Sequence, residues 1–256
     1  MILAIDIGNT TTNFGVFDHD KKKLMSQFSI ATQPNRTADE LTLQLKALAK
    51  TRKLHLARAS QIVICSVVPR MTGVLTQSLK SLDAIPIVIV GQDIPVPLKN
   101  RYKYPEQVGQ DRLVGAFAAW KAYKRDCIVA DFGTAITIDV VTKAGEYLGG
   151  IIAPGLDISL DALATRTALL PKVELREPPE LLGRDTANSI RSGLLYGYVA
   201  LCDGLVTELK RRYVPNAVVV ATGGASALIA KHAKTIDHLQ PTLVLDGLFR
   251  LAVATR

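Results

Sequence analysis

Cysteine is scarce in this chain: there are three, an odd count, and Cys65, Cys127 and Cys202 each sit inside an apolar run (IVICSVV, CIVADF, VALCDG). That excludes a disulfide framework and reads as buried free thiols in a reducing compartment. Aromatic residues make up only 5% of the chain and form no stacking platform, which argues against a nucleic-acid-binding surface. No run reaches the roughly 18 apolar residues of a spanning helix. The opening MILAIDIGNTTTNFGVF carries neither a basic n-region nor an h-region of export-signal length, so a cytoplasmic protein with no membrane partner is expected. Neither G-x-x-x-x-G-K-[ST] nor G-x-G-x-x-G occurs, so any nucleotide is held without a P-loop or a dinucleotide fingerprint. None of His19, His55, His232 and His238 has a Cys, His or carboxylate at metal-ligand spacing, and no serine occupies a G-x-S-x-G elbow. Zinc chemistry and serine hydrolysis are thereby disfavoured.

What is present is an ordinary globular composition, 48% hydrophobic and 21% charged over 256 residues, with 31 Lys and Arg against 23 Asp and Glu for a net charge of +8. The basic residues are dispersed in small clusters at 21–23, 99–103, 121–125 and 210–212. They read as solvated faces, and the excess suits anionic small molecules better than nucleic acid.

The pattern along the chain alternates. Short β-rich runs at 2–6, 12–18 and 24–31, separated by Gly8-Asn9 and by the charged stretch 18–23, predict a three-stranded antiparallel meander. Thr37 followed by Glu40 predicts a capping box opening a helix to about Lys53, with Leu41, Leu45 and Leu48 on one stripe. Strand 61–68, helix 70–82 and strand 85–90 follow, then a proline-marked stretch and a helix over 107–123. The theme then repeats with strands at 127–131, 135–141 and 146–152 and alternating helices and strands after them. A long helix over 186–212 places apolar residues at Ile190, Leu194, Val199, Leu205 and Leu209. Its Gly193 and Gly197 share a face, suited either to a tight crossing within the monomer or to a dimer seam. Two meanders, each followed by αβ units and about 125 residues apart, predict a duplicated α/β domain with a cleft between the halves.

The first strand of each half ends in an acid-apolar-glycine turn, Asp6-Ile7-Gly8-Asn9-Thr10 and Asp131-Phe132-Gly133-Thr134-Ala135. A carboxylate at a strand end holds a hydrated Mg²⁺, and a turn rich in Gly, Asn and Thr offers amides and hydroxyls to phosphate oxygens. ATGG at 221–224 places a glycine pair after a strand, where backbone approaches an adenine or ribose closely. In YKYPEQVGQDR (102–112), Asp111 and Arg112 open a helix and point about 100° apart, so they address different parts of one ligand. A guanidinium suits a carboxylate or phosphate; an aspartate accepts a hydroxyl proton. Each turn taken singly is also ordinary hairpin or capping chemistry.

With these residues assembled, the sequence resembles the type III pantothenate kinases of the acetate and sugar kinase, Hsp70 and actin superfamily. The resemblance rests on DIGNT at 6–10, SVVP at 66–69, Y-x-x-P-x-x-x-G-x-DR from Tyr102 to Arg112, DFGTA at 131–135, GGIIAPG at 149–155, LP at 170–171 and G-R-x-T at 183–186 followed by SGLLYG. It implies a duplicated actin-like (ribonuclease H-like) ATPase fold, two βββαβα-type halves around a nucleotide cleft. Residues 1–123 would carry the first phosphate turn and the pantothenate site, and residues 124–256 the second phosphate turn, the adenosine turn and the dimer helix. The implied activity is transfer of the ATP γ-phosphate to pantothenate, giving 4'-phosphopantothenate on the way to coenzyme A.

Carried over by position, the resemblance implies that Asp6, Ile7, Gly8, Asn9, Thr10, Thr11, Thr12 and Asn13 hold ATP phosphates, with Asp6 meeting Mg²⁺ through water, and that Thr134 also contacts ATP. Asp131 would match a monovalent-cation site for K⁺ or NH₄⁺. Tyr102, Gly109, Gln110, Asp111 and Arg112 would form the pantothenate site, with Asp111 as catalytic proton acceptor. Thr186 would reach pantothenate from the partner subunit of a homodimer. The chain departs from the family pattern at Asp185 and Gly115, where Asn is common. The competing readings are a catalytically weak regulatory relative, and another actin-like-fold kinase with a different acceptor.

Overall fold

The computed structural model describes residues 1–54, 58–82 and 85–254. His55, one of the four histidines considered above, lies outside them. The chain divides into two compact units, one of Met1–Pro97, Glu106–Ala118 and Val244–Arg256, the other of Leu98–Pro105 and Ala119–Leu243.

The first unit opens with strands β1 (Ile2–Ile7), β2 (Thr11–Asp18) and β3 (Lys23–Ala31), followed by helix α1 (Ala38–Thr51), β4 (Gln61–Ser66), α2 (Pro69–Leu82) and β5 (Ile87–Ile89). Its sheet has the order β3-β2-β1-β4-β5, with β1 antiparallel to β2 and parallel to β4. A central strand flanked on both sides must be apolar nearly throughout, and Ile2, Leu3, Ala4, Ile5 and Ile7 are all buried. The expected capping box is present: the Thr37 side chain accepts from the Glu40 amide while the Glu40 carboxylate accepts from the Thr37 amide. Leu41 and Leu45 then face the sheet, beside Met71, Leu75 and Leu79, which recur at one-turn spacing along α2. Pro69 stands at the first helical position of α2, where a missing N–H costs nothing.

The remaining elements are β6 (Lys99–Asn100), α3 (Gln110–Tyr123), β7 (Cys127–Phe132), β8 (Ala135–Val141), β9 (Glu146–Pro154), α4 (Leu156–Arg166), α5 (Thr186–Arg212), β10 (Val218–Thr222), α6 (Ser226–Ala230), β11 (His238–Leu239) and α7 (Leu243–Ala254). The second sheet runs β11-β10-β7-β8-β9-β6. Read from β9 to β11, it repeats the order of the first, again with the central strand antiparallel to the second of its meander and parallel to its other neighbour. The two expected meanders and their duplication are therefore present, and β6 is an added edge strand paired with β9.

Close packing of α7 within the first unit depends on two glycines. A Cβ on Gly15 would lie 2.8 Å from the Phe17 ring and 3.3 Å from Leu245, and one on Gly247 would lie 2.7 Å from Val114. Phe17 and Phe249 consequently stack at 4.6 Å. All three cysteines are free and buried. Burial pushes the Cys127 and Cys202 thiols up to about 12, as expected for groups acting as small hydrophobes. Among the described residues, no helix is long and apolar enough to cross a membrane.

Two helices differ in detail from the sequence expectation. A short 3-10 turn occupies Pro105–Gln107, and α3 begins only at Gln110, after Gly109. On α5 the buried stripe is Leu195, Val199, Cys202 and Val206, with Ile190 ahead of it, whereas Leu205 and Leu209 are partly buried against the same core. Cys202 and Leu195 complete the helical period that Leu194 interrupts, because a thiol counts here as an apolar group.

The second unit also buries a carboxylate. Asp139 of β8 accepts hydrogen bonds from the Tyr147 hydroxyl at 2.6 Å and from Thr137 Oγ1 at 3.0 Å. Tyr147→Phe removes a donor from that buried acid and is expected to cost about 1–3 kcal/mol. A urea transition with an unshifted midpoint would show that the bond adds no stability.

Candidate active site

In the first unit, β1 is apolar up to Asp6 and then turns. The Gly8 amide donates to the Thr11 carbonyl at 3.1 Å, closing the hairpin to β2. Asp6 stands opposite Asn13 on β2 and Cys65 on β4, and Asn13 Nδ2 donates to Asp6 Oδ2 at 3.5 Å. Asn9 and Thr10 are exposed at the tip, while Ile7 and Thr12 turn their side chains into the core. Those last two therefore offer a ligand only their backbone. The turn is braced from outside by Thr32, at the end of β3. Its hydroxyl donates to the Gly8 carbonyl at 2.8 Å and lies 2.9 Å from Thr12 Oγ1, and its amide donates to the Thr10 carbonyl at 2.9 Å. These bonds pin the Gly8 and Thr10 carbonyls and fix the shape of the turn.

Asp111 lies in the first turn of α3, and its carboxylate folds back so that Oδ1 accepts from the Arg112 amide at 2.8 Å. A Cβ on Gly109 would come within 2.5 Å of that same oxygen, so glycine is what lets the carboxylate settle over the helix start. Cys65 links the two acids. Its buried thiol is held well above the usual thiol range by desolvation first, then by the nearby charges of Asp6 and Asp111. Asp6 stands opposite Cys65, and a Gly109 Cβ would lie 3.5 Å from Val67 just past β4, so the turns that carry Asp6 and Asp111 both lie near the end of β4.

In the second unit, Asp131 is the last residue but one of β7 and stands opposite Thr137 on β8 and Thr222 on β10. Gly223 has φ of 90°, open to glycine but strained for other residues, and a Cβ there would overlap the Asp131 carboxylate and lie 2.6 Å from the Phe132 carbonyl carbon. Gly155, after β9, is as constrained: a Cβ would overlap the Thr134 carbonyl. The ATGG turn is thus packed directly on the acid of DFGTA. Tyr102 belongs to this unit also, with its ring 3.5 Å from where a Gly149 Cβ would stand. Gly109, Gln110, Asp111 and Arg112 belong to the first unit.

Thr186 is exposed at the first position of α5. The preceding Asp185 is the N-cap and accepts from the Asn188 amide at 2.8 Å, which holds its carboxyl below the usual range. Asp and Asn are equally good N-caps, so the departure from the family pattern at this position preserves the start of the helix. Gly115 is buried in α3.

Among the described residues no cluster of three or more His, Cys, Asp or Glu could hold a metal. That fits Mg²⁺, which is normally held by one or two carboxylates plus phosphate oxygens and water rather than by a protein cage. Asp6, a hard oxygen donor beside a turn of amides, matches that donor set. Two features escaped the sequence reading. Thr32 is 24 residues from the carbonyl it binds, and no local pattern signals that partnership. Gly155 ends the GGIIAPG run, whose last glycine was the available signal.

A profile of type III pantothenate kinases matches residues 2–208. Over 249 residues the chain is 41% identical to the type III pantothenate kinase of Geotalea daltonii, covering 97% of this chain and 96% of that protein. The chain belongs to the type III pantothenate kinase family. The family enzyme of Moorella thermoacetica is also 41% identical, over 97% of both chains. A Sinorhizobium meliloti protein assigned as a 2-dehydro-3-deoxygalactonokinase shares the fold, with a TM-score of 0.61 at 16% identity over 100% of this chain and 99% of that one. The fold is the actin-like ATPase and sugar kinase fold that the resemblance implied.

If Gly109 is needed for the Asp111 geometry, Gly109→Ala should fold normally yet lower turnover by about tenfold or more, in line with the sensitivity of catalysis to small misplacements. Wild-type turnover in a folded variant would contradict that role.

Proposed function

We propose that this protein transfers the γ-phosphoryl group of ATP to the primary hydroxyl of pantothenate, in the cytoplasm, as the first step toward coenzyme A. The observation that carries the reading is the placing of Asp6 and of the Gly109–Asp111 turn near the end of β4, within a chain of this family. In this reading the run Asp6–Asn13 and Thr134 bind the ATP phosphates, each from one of the duplicated halves 1–123 and 124–256. Tyr102 and Gly109–Arg112 bind pantothenate, with Arg112 on its carboxylate. Thr186 is contributed by the partner subunit of a homodimer. Mg²⁺ beside Asp6 supplies charge neutralisation to the phosphates when bound, and Asp131 belongs to a site for K⁺ or NH₄⁺.

Phosphoryl transfer passes through a loose transition state, so alignment and charge matter more than covalent chemistry. The pantothenate hydroxyl oxygen attacks the γ-phosphorus, the bond to the β-phosphate oxygen breaks and carries its electron pair to ADP, and the hydroxyl proton passes to Asp111. An aspartate is far too weak to deprotonate an alcohol beforehand. Its work is to orient the hydroxyl and to take the proton late, as the new bond forms. The back-folded carboxylate over Gly109 supports that role, since Oδ1 is held by the Arg112 amide.

Asp111→Asn should fold and bind both substrates while losing about 10²–10⁴-fold in turnover, read by coupling ADP release to NADH oxidation. Turnover within a few-fold of wild type would remove Asp111 from the proton-acceptor role. In the same assay, replacing K⁺ by Na⁺ should lower the rate markedly; equal rates in the two salts would contradict a selective cation site at Asp131.

A further inference from the structure

Next to the first phosphate turn lies a cavity of about 830 Å³ to which no role has yet been given, bounded by Thr32, Asn35, Arg36, Glu40 and Gln44. Thr32 connects the two, since it lines the cavity and also braces the Gly8 and Thr10 carbonyls. The cation in its wall is Arg36, half-buried where the chain passes from β3 to α1.

Arg36 is held from two sides. Its backbone amide donates to the Gln33 carbonyl at 3.0 Å, and its guanidinium donates through Nη1 to the Gln44 side-chain carbonyl. A carboxamide orients a guanidinium without neutralising it, as a carboxylate would. The nearby acid, Glu40, is committed elsewhere: its Oε2 accepts from the Thr37 amide at 2.9 Å and the Thr37 hydroxyl at 3.0 Å, closing the capping box. Those bonds, chiefly the one from the Thr37 amide, lower the Glu40 carboxyl below its usual range, with a smaller contribution from the Arg36 charge. Arg36 makes no salt bridge among the described residues, so its remaining N–H groups are available to a ligand.

We propose that Arg36 is an anion-binding catalytic residue that contacts the terminal phosphate of ATP from this cavity. Without a P-loop lysine, the chain needs a cation of its own at the transferring group, and a planar guanidinium matches phosphate oxygens in a two-pronged contact. Gln44 is then a positioning residue for that contact. The proposal rests on the reading that the Asp6–Asn13 turn holds the ATP phosphates, and goes beyond it by adding a residue outside every motif that carries the family resemblance.

The test compares Arg36→Gln, Arg36→Lys and Asp6→Asn with the wild-type enzyme. Thermal melting establishes folding, and calorimetry measures binding of ADP and of a non-hydrolysable ATP analogue, each with and without Mg²⁺. Arg36→Gln is expected to lower kcat/KM for ATP by about 10²–10³-fold, the usual cost of a lost charge-stabilising donor. It should weaken the ATP analogue roughly tenfold, the scale of one charge-assisted contact, while ADP binding stays nearly constant. Arg36→Lys should recover part of the loss. Equal weakening of ADP and the analogue, unchanged ATP kinetics, or a rise confined to the KM for pantothenate would each overturn the proposal. Asp6→Asn separates the two readings. If it abolishes the Mg²⁺-dependent gain in nucleotide affinity and Arg36→Gln changes nothing, only the Arg36 proposal falls; if it leaves that gain intact, the turn is not the phosphate site and both fall.

Discussion

A carboxylate at the polar end of a fully buried strand is the constraint on which the rest depends. Along β1 and β7 every position but the acid itself is apolar and enclosed, so Asp6 and Asp131 are each a single charge set one residue before the strand ends. Burying such a charge unaccompanied would cost several kcal/mol. The fold meets the demand in both sheets by the same means: an abrupt turn through glycine, and small residues on the neighbouring strands around the acid. In the first sheet those neighbours are Asn13 and Cys65, and in the second Thr137 and Thr222.

The glycines follow from that arrangement. Gly223 exists because the ATGG turn crosses directly over the Asp131 carboxylate, and Gly155 because the chain after β9 lies against the Thr134 carbonyl. Gly109 plays the corresponding part for Asp111, whose carboxylate needs the space a side chain would fill. Two of these stretches thus lose a side chain to make room for an acidic group, and the third to make room for the turn that follows Asp131. The capping box of α1 engages Glu40 at the helix start and leaves the Arg36 guanidinium hydrogen-bonded to neutral Gln44 without a salt bridge among the described residues.

Much of the fold was legible in the sequence because its signals are local. Period-two runs located the strands of both meanders, Thr37 with Glu40 located α1, and the repeated acid-apolar-glycine turn revealed the duplication. The long helix α5 was bounded correctly at Thr186 and Arg212, since its N-cap acid and terminal basic residues are sequence-adjacent signals. The parts that escaped are non-local. The brace from Thr32 to Gly8, the closeness of both Asp6 and Asp111 to Cys65, and the overlap of Gly223 with Asp131 each join residues far apart in the chain. For the candidate site, the residue types and turns were visible while their convergence was not. The added edge strand β6 was hidden for a different reason: two residues carry no periodicity.

The central claim is that the acids at these turns serve phosphoryl transfer to an alcohol rather than to water. Phosphorus-31 NMR of the purified protein with ATP, Mg²⁺, K⁺ and pantothenate tests it most directly. A phosphomonoester resonance of pantothenate growing in step with ADP is the expected result. ADP accompanied by inorganic phosphate, or no consumption of ATP, would contradict it.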